Sequence, residues 1–484
     1  MSSYTLTNNN GISLKTTNNP LIDFFMLLER NISDEYLNDF INNAWHADPI
    51  KTIAIIFNCR DRVNGKKEKN CSNRCILWIR KNYNDIYKLN IKTYIDKYGC
   101  WKDLVYISKI IKDNNYELKL FAKQLIIDKQ NLENNNNISL CAKWAPSENK
   151  MKKLGFKIAN FLYKKDKTKI MEKYRKEYLT PLRNKLNIIE TIMCSKKWED
   201  INYNIVPANA IKKYKKAFMK NDSEKYNNFL CDLKNNNKNI KITGILPYEL
   251  VNYYIKGNLL DETIEMQWIS LVDNIKNNGI FNNTVAIVDV SGSMFNSISN
   301  PKPIDISISL GLLIANCNEG FYKNKVITFS ENAEIFTING NTLYDQVQSI
   351  LKMDAGYNTN FINVFNLIIN NTNIPDKVIC LTDMQFDNAA TSVNDENNNN
   401  IETIYENIKN KFIENNYNIP KFIFWNINSV PNTFPITSTV ENTAIISGYS
   451  EQLLKIILKF NDFTPELILN EILEPYIKNV NLLI

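Results

Sequence analysis

The residues best placed to do chemistry are Asp289-Val-Ser291-Gly-Ser293-Met294. They follow the apolar run Thr284-Val-Ala-Ile-Val, which reads as a strand ending in Asp289. A spacing of two sets Asp289, Ser291 and Ser293 on one side of an extended turn, and Gly292 permits a tight bend. One carboxylate and two hydroxyls are hard oxygen donors, suited to Mg2+ or Mn2+ rather than Zn2+. Two more groups fit the scheme. Thr359 lies in Gly356-Tyr-Asn-Thr-Asn-Phe361 ahead of a helical stretch, and Asp383 closes the apolar run Lys377-Val-Ile-Cys-Leu-Thr. The competing reading is that these polar groups only cap the following helix.

A second constellation is cationic. Residues 150–185 carry Lys152, Lys153, Lys157, Lys164, Lys165, Lys167, Lys169, Lys173, Arg175 and Arg183, with Tyr163, Tyr174 and Tyr178 interleaved and only Asp166, Glu172 and Glu177 opposing. Such cations can neutralise phosphates, and tyrosines can stack on unpaired bases, so a nucleic acid with unpaired bases is the partner this segment suggests. Six contacted phosphates would give a salt slope of roughly −4. The alternative is a solvated lysine face over tyrosines that belong to the core, and for each tyrosine singly the core is the expectation. Arg60-Asp-Arg62 followed by Gly65-Lys-Lys-Glu-Lys69 reads as another basic loop within reach of phosphate.

The overall charge of +7 conceals a division. From residue 281 onward there are 11 Lys, no Arg and 21 Asp plus Glu, a net of −10, which leaves +17 on residues 1–280. That asymmetry suggests two domains with different partners.

Composition excludes several function classes. The one histidine, His46, leaves no room for zinc sites with two histidine ligands, nor for Ser-His-Asp catalysis unless it takes part itself. Nine cysteines, an odd number, argue against a disulfide framework. Cys59 with Cys71 and Cys75 is short of a fourth metal ligand, and free helical thiols are the expected state. There is no Gly-x4-Gly-Lys-Ser/Thr phosphate loop. A phosphohydrolase with Asp289 as nucleophile would want a carboxylate two residues later, where Ser291 stands, and no general acid has a clear place. A non-enzymatic protein is therefore expected. No apolar run approaches about 18 residues and the polar start lacks a signal-peptide core, so the expectation is an intracellular, cytoplasmic protein with no membrane segment.

The elements that must position these residues change near residue 280. Helical periodicity marks 20–30, 36–44, 84–96, 101–113, 117–128, 149–163, 182–194, 208–218, 223–234 and 247–255, which together suggest an all-α helical-repeat region, a HEAT-like solenoid or ring. After it, apolar runs at 284–289, 325–329, 333–338, 377–383, 421–427 and 443–447 alternate with helical stretches. Such alternation predicts a doubly wound, parallel-sheet α/β domain with its site at the carboxyl ends of the strands. The boundaries expected are a flexible terminus at 1–19, the basic helical domain at 20–280, the α/β domain at 281–463 and a closing helix at 464–484 that packs back on the body.

In this strand context, the Asp-x-Ser-x-Ser motif with Thr359 and Asp383 resembles the metal-ion-dependent adhesion site of von Willebrand factor A domains, which are Rossmann-like. The resemblance implies that Ser291, Ser293 and Thr359 offer hydroxyls to Mg2+, that Asp289 and Asp383 act directly or through water, and that a partner's acidic group completes the shell. Over most of the chain, Tyr98-Gly-Cys100-Trp-Lys-Asp-Leu104, Ala142-Lys-Trp-Ala-Pro-Ser147, Tyr174–Arg183, Trp198-Glu-Asp-Ile201, Leu246-Pro-Tyr-Glu-Leu250 and Ser447-Gly-Tyr449 resemble the family named domain of unknown function 2828. That family is similar in layout to TROVE proteins such as the Ro autoantigen, which join a helical ring to a von Willebrand A domain and bind non-coding RNA. The function implied is an RNA-binding scaffold. The alternative is a protein-interaction adaptor that captures a partner's acidic residue at the metal.

Overall fold

The computed structural model describes residues 4–163, 168–235, 240, 242–296, 300–329, 333–353, 361–371, 373–386, 403–428, 430–459 and 463–482. The chain forms two compact units, one of Met1–Cys75 with Leu233–Val480, the other of Ile76–Asp232 with 481–484. The second is thus inserted, in sequence, into the first, and the compositional division near residue 280 falls inside the first.

The first unit is built on a six-stranded sheet. A short hairpin, β1 (Tyr4–Leu6) and β2 (Ile12–Leu14), precedes it, and two-residue strands β3 (Phe281–Asn282) and β5 (Asn318–Glu319) pair beside it. The sheet proper comprises β4 (Thr284–Asp289), β6 (Lys325–Phe329), β7 (Glu334–Thr337), β8 (Lys377–Thr382), β9 (Lys421–Asn426) and β10 (Thr443–Ser447), in the order β10-β9-β8-β4-β6-β7. All neighbours are parallel except β6 and β7. The sheet is therefore mixed rather than wholly parallel, because residues 330–333 are too few for a crossover between β6 and β7. Every residue of the central strand β4 is buried, as cover on both faces requires, and so is every residue of the edge strand β10.

Residues 4–14, expected as a flexible tail, form a hairpin that bridges to the sheet unit through Leu14 and Phe434. The next helix, Pro20–Leu27, starts with Asn19 as N-cap and proline at N1, and buries Leu21, Ile22, Phe24, Phe25, Met26 and Leu27. Several described helices escape the periodic pattern. Pro49–Arg60 buries both faces and so shows no stripe, and Lys69–Asn82, Ile170–Tyr174 and Glu262–Lys276 are among the others. The closing helix, Pro465–Ile477, packs on Pro49–Arg60, and Tyr476 donates its hydroxyl to Asp61 at 2.9 Å.

The second unit is helical throughout its described residues, from the four-residue Cys141–Trp144 to the nineteen-residue Asn115–Glu133. Trp101 and Phe121 meet in its core with ring centroids 5.1 Å apart.

Helix Pro303–Asn316 lies on β4 so closely that a Cβ at Gly311 would stand 2.5 Å from Val288 Cγ2. Val288 is stiff and buried, so the overpacking of about 1–3 kcal/mol outweighs the roughly 1 kcal/mol of helix propensity that alanine adds. Gly311→Ala should lower the urea midpoint, and Val288→Ala in the same chain should recover part of the loss.

Candidate functional site

Strand order reverses between β4 and β8, and the carboxyl ends of these two strands carry Asp289 and Asp383. This switch point is where a doubly wound sheet opens a crevice. Asp289 is 2% exposed; its Oδ1 accepts the Ser291 N–H at 2.9 Å and its Oδ2 accepts the Thr382 hydroxyl at 2.7 Å. Ser291 Oγ and Ser293 Oγ lie 3.0 Å apart, and Ser293 in turn hydrogen-bonds Asp383. Asp383, also 2% exposed, accepts the Gln385 N–H at 3.2 Å.

Four of the expected donors therefore share one crevice, and Thr359 lies outside the described residues. Burial raises the pKa of Asp289, and the neighbouring Asp383 raises it further; burial is also the main cause of the rise at Asp383. Two desolvated carboxylates side by side resist joint ionisation, and the pair is satisfied by a proton or by a hard cation. Among the described residues no group of three or more His, Cys, Asp and Glu is gathered for a metal.

Sequence reasoning missed three supports of this site. Thr382 fixes Asp289, and only its place one residue before Asp383 hints at that. Met384 adopts a left-handed backbone, φ 63°, stabilised by its N–H to Thr382 Oγ1 at 3.2 Å. The N-terminal hairpin clasps the same loop: Asn8 N–H donates to Gln385 Oε1 at 2.8 Å, Asn9 Nδ2 to Gln385 O at 2.6 Å and Thr7 Oγ1 to Phe386 O at 2.5 Å.

The cationic segment divides. Lys152, Lys153, Lys169 and Arg175 are exposed. Lys157 is exposed too but donates to Asn114 Oδ1 at 2.9 Å, and Lys173 is half-buried. Lys164, Lys165 and Lys167 lie outside the described residues. Arg183 is half-buried, its Nε donating to Ala142 O at 2.9 Å and its Nη2 to Ala145 O at 3.1 Å, so part of its donor set is taken up by the backbone. Tyr174 is core, its hydroxyl on Pro146 O at 3.1 Å, and Tyr163 packs edge-on against Tyr178 while donating to Glu177 at 2.8 Å. None of the three rings is a free stacking platform.

The positive charge of residues 1–280 is concentrated on the second compact unit. Ile76–Asp232 holds 33 Lys and Arg against 17 Asp and Glu, a net of +16, which leaves −9 on the remainder.

The basic loop at 65–69 is not a phosphate site. Lys66 is 0% exposed and donates from Nζ to Phe25 O, to Leu28 O at 3.2 Å and to Ser447 Oγ at 2.6 Å, with its charge 3.9 Å above the Phe25 ring. Lys67 reaches Glu451 at 2.6 Å and Ile245 O at 3.1 Å. Glu68 takes a two-pronged hydrogen bond from Arg30, whose guanidinium lies 4.7 Å from the Tyr449 ring. Tyr449 donates to the buried Glu29 at 2.7 Å. A Cβ at Gly65 would stand 2.0 Å from Asn58 O. Beside this knot Cys59 and Cys71 have sulfurs 3.2 Å apart, and burial pushes the Cys71 and Cys75 thiols well up, as expected of protonated thiols rather than metal ligands.

The family described as domain of unknown function DUF2828 matches residues 7–119 and 118–281, and the one described as domain of unknown function DUF7788 matches 283–473. "Uncharacterized protein L728" of Acanthamoeba polyphaga mimivirus is 31% identical over 522 residues, covering 99% of this chain and 89% of that protein. Among solved structures, the Deinococcus radiodurans RO (RSR) protein aligns at 10% identity over 94% of this chain and 99% of its own, with a TM-score of 0.39. At that score the likeness carries no argument. No described helix is long and apolar enough to cross a membrane.

Burial pulls the Lys66 amine down to about 8, from 10.5 in the unfolded chain. Between those values the unfolded state binds more protons, so this group's contribution to stability rises with pH. Lys66→Met, which leaves three acceptors without their donor, should cost about 2–4 kcal/mol in urea unfolding at pH 7. The gap between wild type and variant should widen from pH 8 to pH 10; a gap that narrows would contradict a buried, depressed amine.

Proposed function

Since this chain belongs to the DUF2828 family, whose layout resembles that of TROVE proteins, we propose that it is a non-enzymatic RNA-binding scaffold with a von Willebrand A-like unit that holds Mg2+ or Mn2+. The observation that carries the RNA half is the concentration of charge. A unit with net +16 inside a chain of net +7 presents a sequence-independent attraction for phosphates. Lys152, Lys153, Lys169 and Arg175 are among the described cations of the segment that stand exposed. In this reading the helical unit is the counterpart of the TROVE ring, and its RNA is single-stranded or non-coding.

The metal half rests on the buried pair Asp289 and Asp383 with Ser291 and Ser293. The donor set fits a hard divalent cation, which would offset the burial that holds both carboxyls above their ordinary range and the repulsion that adds to it at Asp289. Asp289 and Asp383 would hold the ion directly or through water, with Ser291, Ser293 and Thr359 as hydroxyl donors. When bound, the ion supplies a Lewis-acidic position for an acidic group of a partner. Thr382 and Gln385 keep the two carboxyls in place.

Two measurements test this. Reversing Lys152, Lys153, Lys169 and Arg175 to Glu should flatten the salt dependence of single-stranded RNA binding by about 3 in slope, at about 0.7 for each phosphate no longer neutralised. Equal slopes for wild type and variant would sink RNA binding through this face. Millimolar Mg2+ should raise the melting temperature of the wild type and leave Asp289→Ala unmoved. A protein captured only in Mg2+, by a chain that binds no RNA, would replace the scaffold with the adaptor.

A further inference from the structure

We propose that the first compact unit binds a small neutral amide, carried on an apolar body, in a cavity of about 450 Å3 beside helix Glu262–Lys276. That size falls within the roughly 300–1,000 Å3 of small-molecule sites. Asn324, which lines the cavity, directly precedes β6, so the cavity lies on the amino-end side of the parallel strands, away from Asp289 and Asp383.

Two side-chain amides of the lining set its chemistry, Asn316 at the end of helix Pro303–Asn316 and Gln346 in helix Leu343–Ile350. The indole N–H of Trp268 can only donate, and it does so to Asn316 Oδ1 at 3.1 Å, which leaves Nδ2 as the spare donor of that amide. The Gly340 carbonyl can only accept, and it takes Gln346 Nε2 at 3.4 Å, which leaves Oε1 as the spare acceptor. Among the described residues neither Asn316 Nδ2 nor Gln346 Oε1 has a hydrogen-bond partner, although both atoms are buried and Gln346 is only 9% exposed. A buried polar atom left unpaired is destabilising, and a ligand that supplies one acceptor and one donor relieves both. A carboxamide does this with a single group. Glu265, also in the lining, is not left for a cation: it accepts the Tyr254 hydroxyl at 2.7 Å and the N–H groups of Leu343 at 2.7 Å and Tyr344 at 3.1 Å. Three acidic residues and two lysines line the cavity, so it has no excess of positive charge to draw an anion. Leu260, Met266, Ile269 and Val272 offer an apolar wall to the body of the ligand, and Leu260 and Ile269 of that wall are exposed.

The test is titration of the full chain with 2-naphthamide, followed on the ligand by NMR, with 2-acetonaphthone and 2-naphthoate as comparators. The ketone keeps the carbonyl and the shape but has a methyl group where the amide has its N–H donors. Naphthamide should bind roughly tenfold more tightly than the ketone, the worth of about one hydrogen bond to an otherwise unpaired buried acceptor. Gln346→Leu should abolish that preference, because the acceptor is gone. Asn316→Asp keeps the acceptor for Trp268 and loses the donor, so it should weaken amide and ketone alike and provides an arm independent of Gln346. Equal affinity of the wild type for amide and ketone, naphthoate binding as tight as naphthamide, a preference that survives Gln346→Leu, or no binding at millimolar ligand would overturn the proposal.

Discussion

The first compact unit depends on one buried ammonium. Lys66 places its charge where helix Pro20–Leu27 ends, against the carbonyls of Phe25 and Leu28, and against Ser447 at the end of β10. Helix C-terminal carbonyls carry partial negative charge, and a cation satisfies them where water has no access. Arg30 with Glu68, and Tyr449 with Glu29, close the shell around it. Isolated, any one of these charges would cost several kcal/mol to bury; paired, they specify that the first helices and the last strands belong together.

The candidate cation site uses the same principle with the sign reversed. There the chain buries two negative groups whose hydrogen-bond donors are hydroxyls and backbone amides rather than a basic side chain. In the knot Arg30 meets Glu68 and Lys67 meets Glu451, whereas Asp289 and Asp383 find each other. This difference separates a structural cluster from one that invites a ligand.

Much of this was legible. The alternating apolar runs mark all six strands of the main sheet, and Asp289, Ser291, Ser293 and Asp383 stand together as their spacing suggests, because strand ends in a parallel sheet are forced to one edge. The antiparallel β7 was not legible, since an apolar run has no direction. Pro49–Arg60 lacked the helical stripe because it is surrounded by protein. The basic loop at 65–69 and the Ser447-Gly448-Tyr449 segment looked like separate motifs, and no local rule joins residues almost four hundred positions apart. Arg183 read as a ligand for RNA because composition cannot tell a cation that donates to carbonyls from one that faces solvent.

The knot also imposes an order on synthesis. Lys66 leaves the ribosome 381 residues before Ser447, at 5–20 residues per second a delay on the order of 20 to 80 s. Throughout that interval the helices of Met1–Cys75 have only each other and lack the strands and closing helix they pack on, while Ile76–Asp232, nearly all of the second unit, is made and can fold within the gap. The nascent polypeptide thus carries an unfinished apolar front end past a completed middle, and its greatest exposure to aggregation falls before the last strand emerges rather than after release.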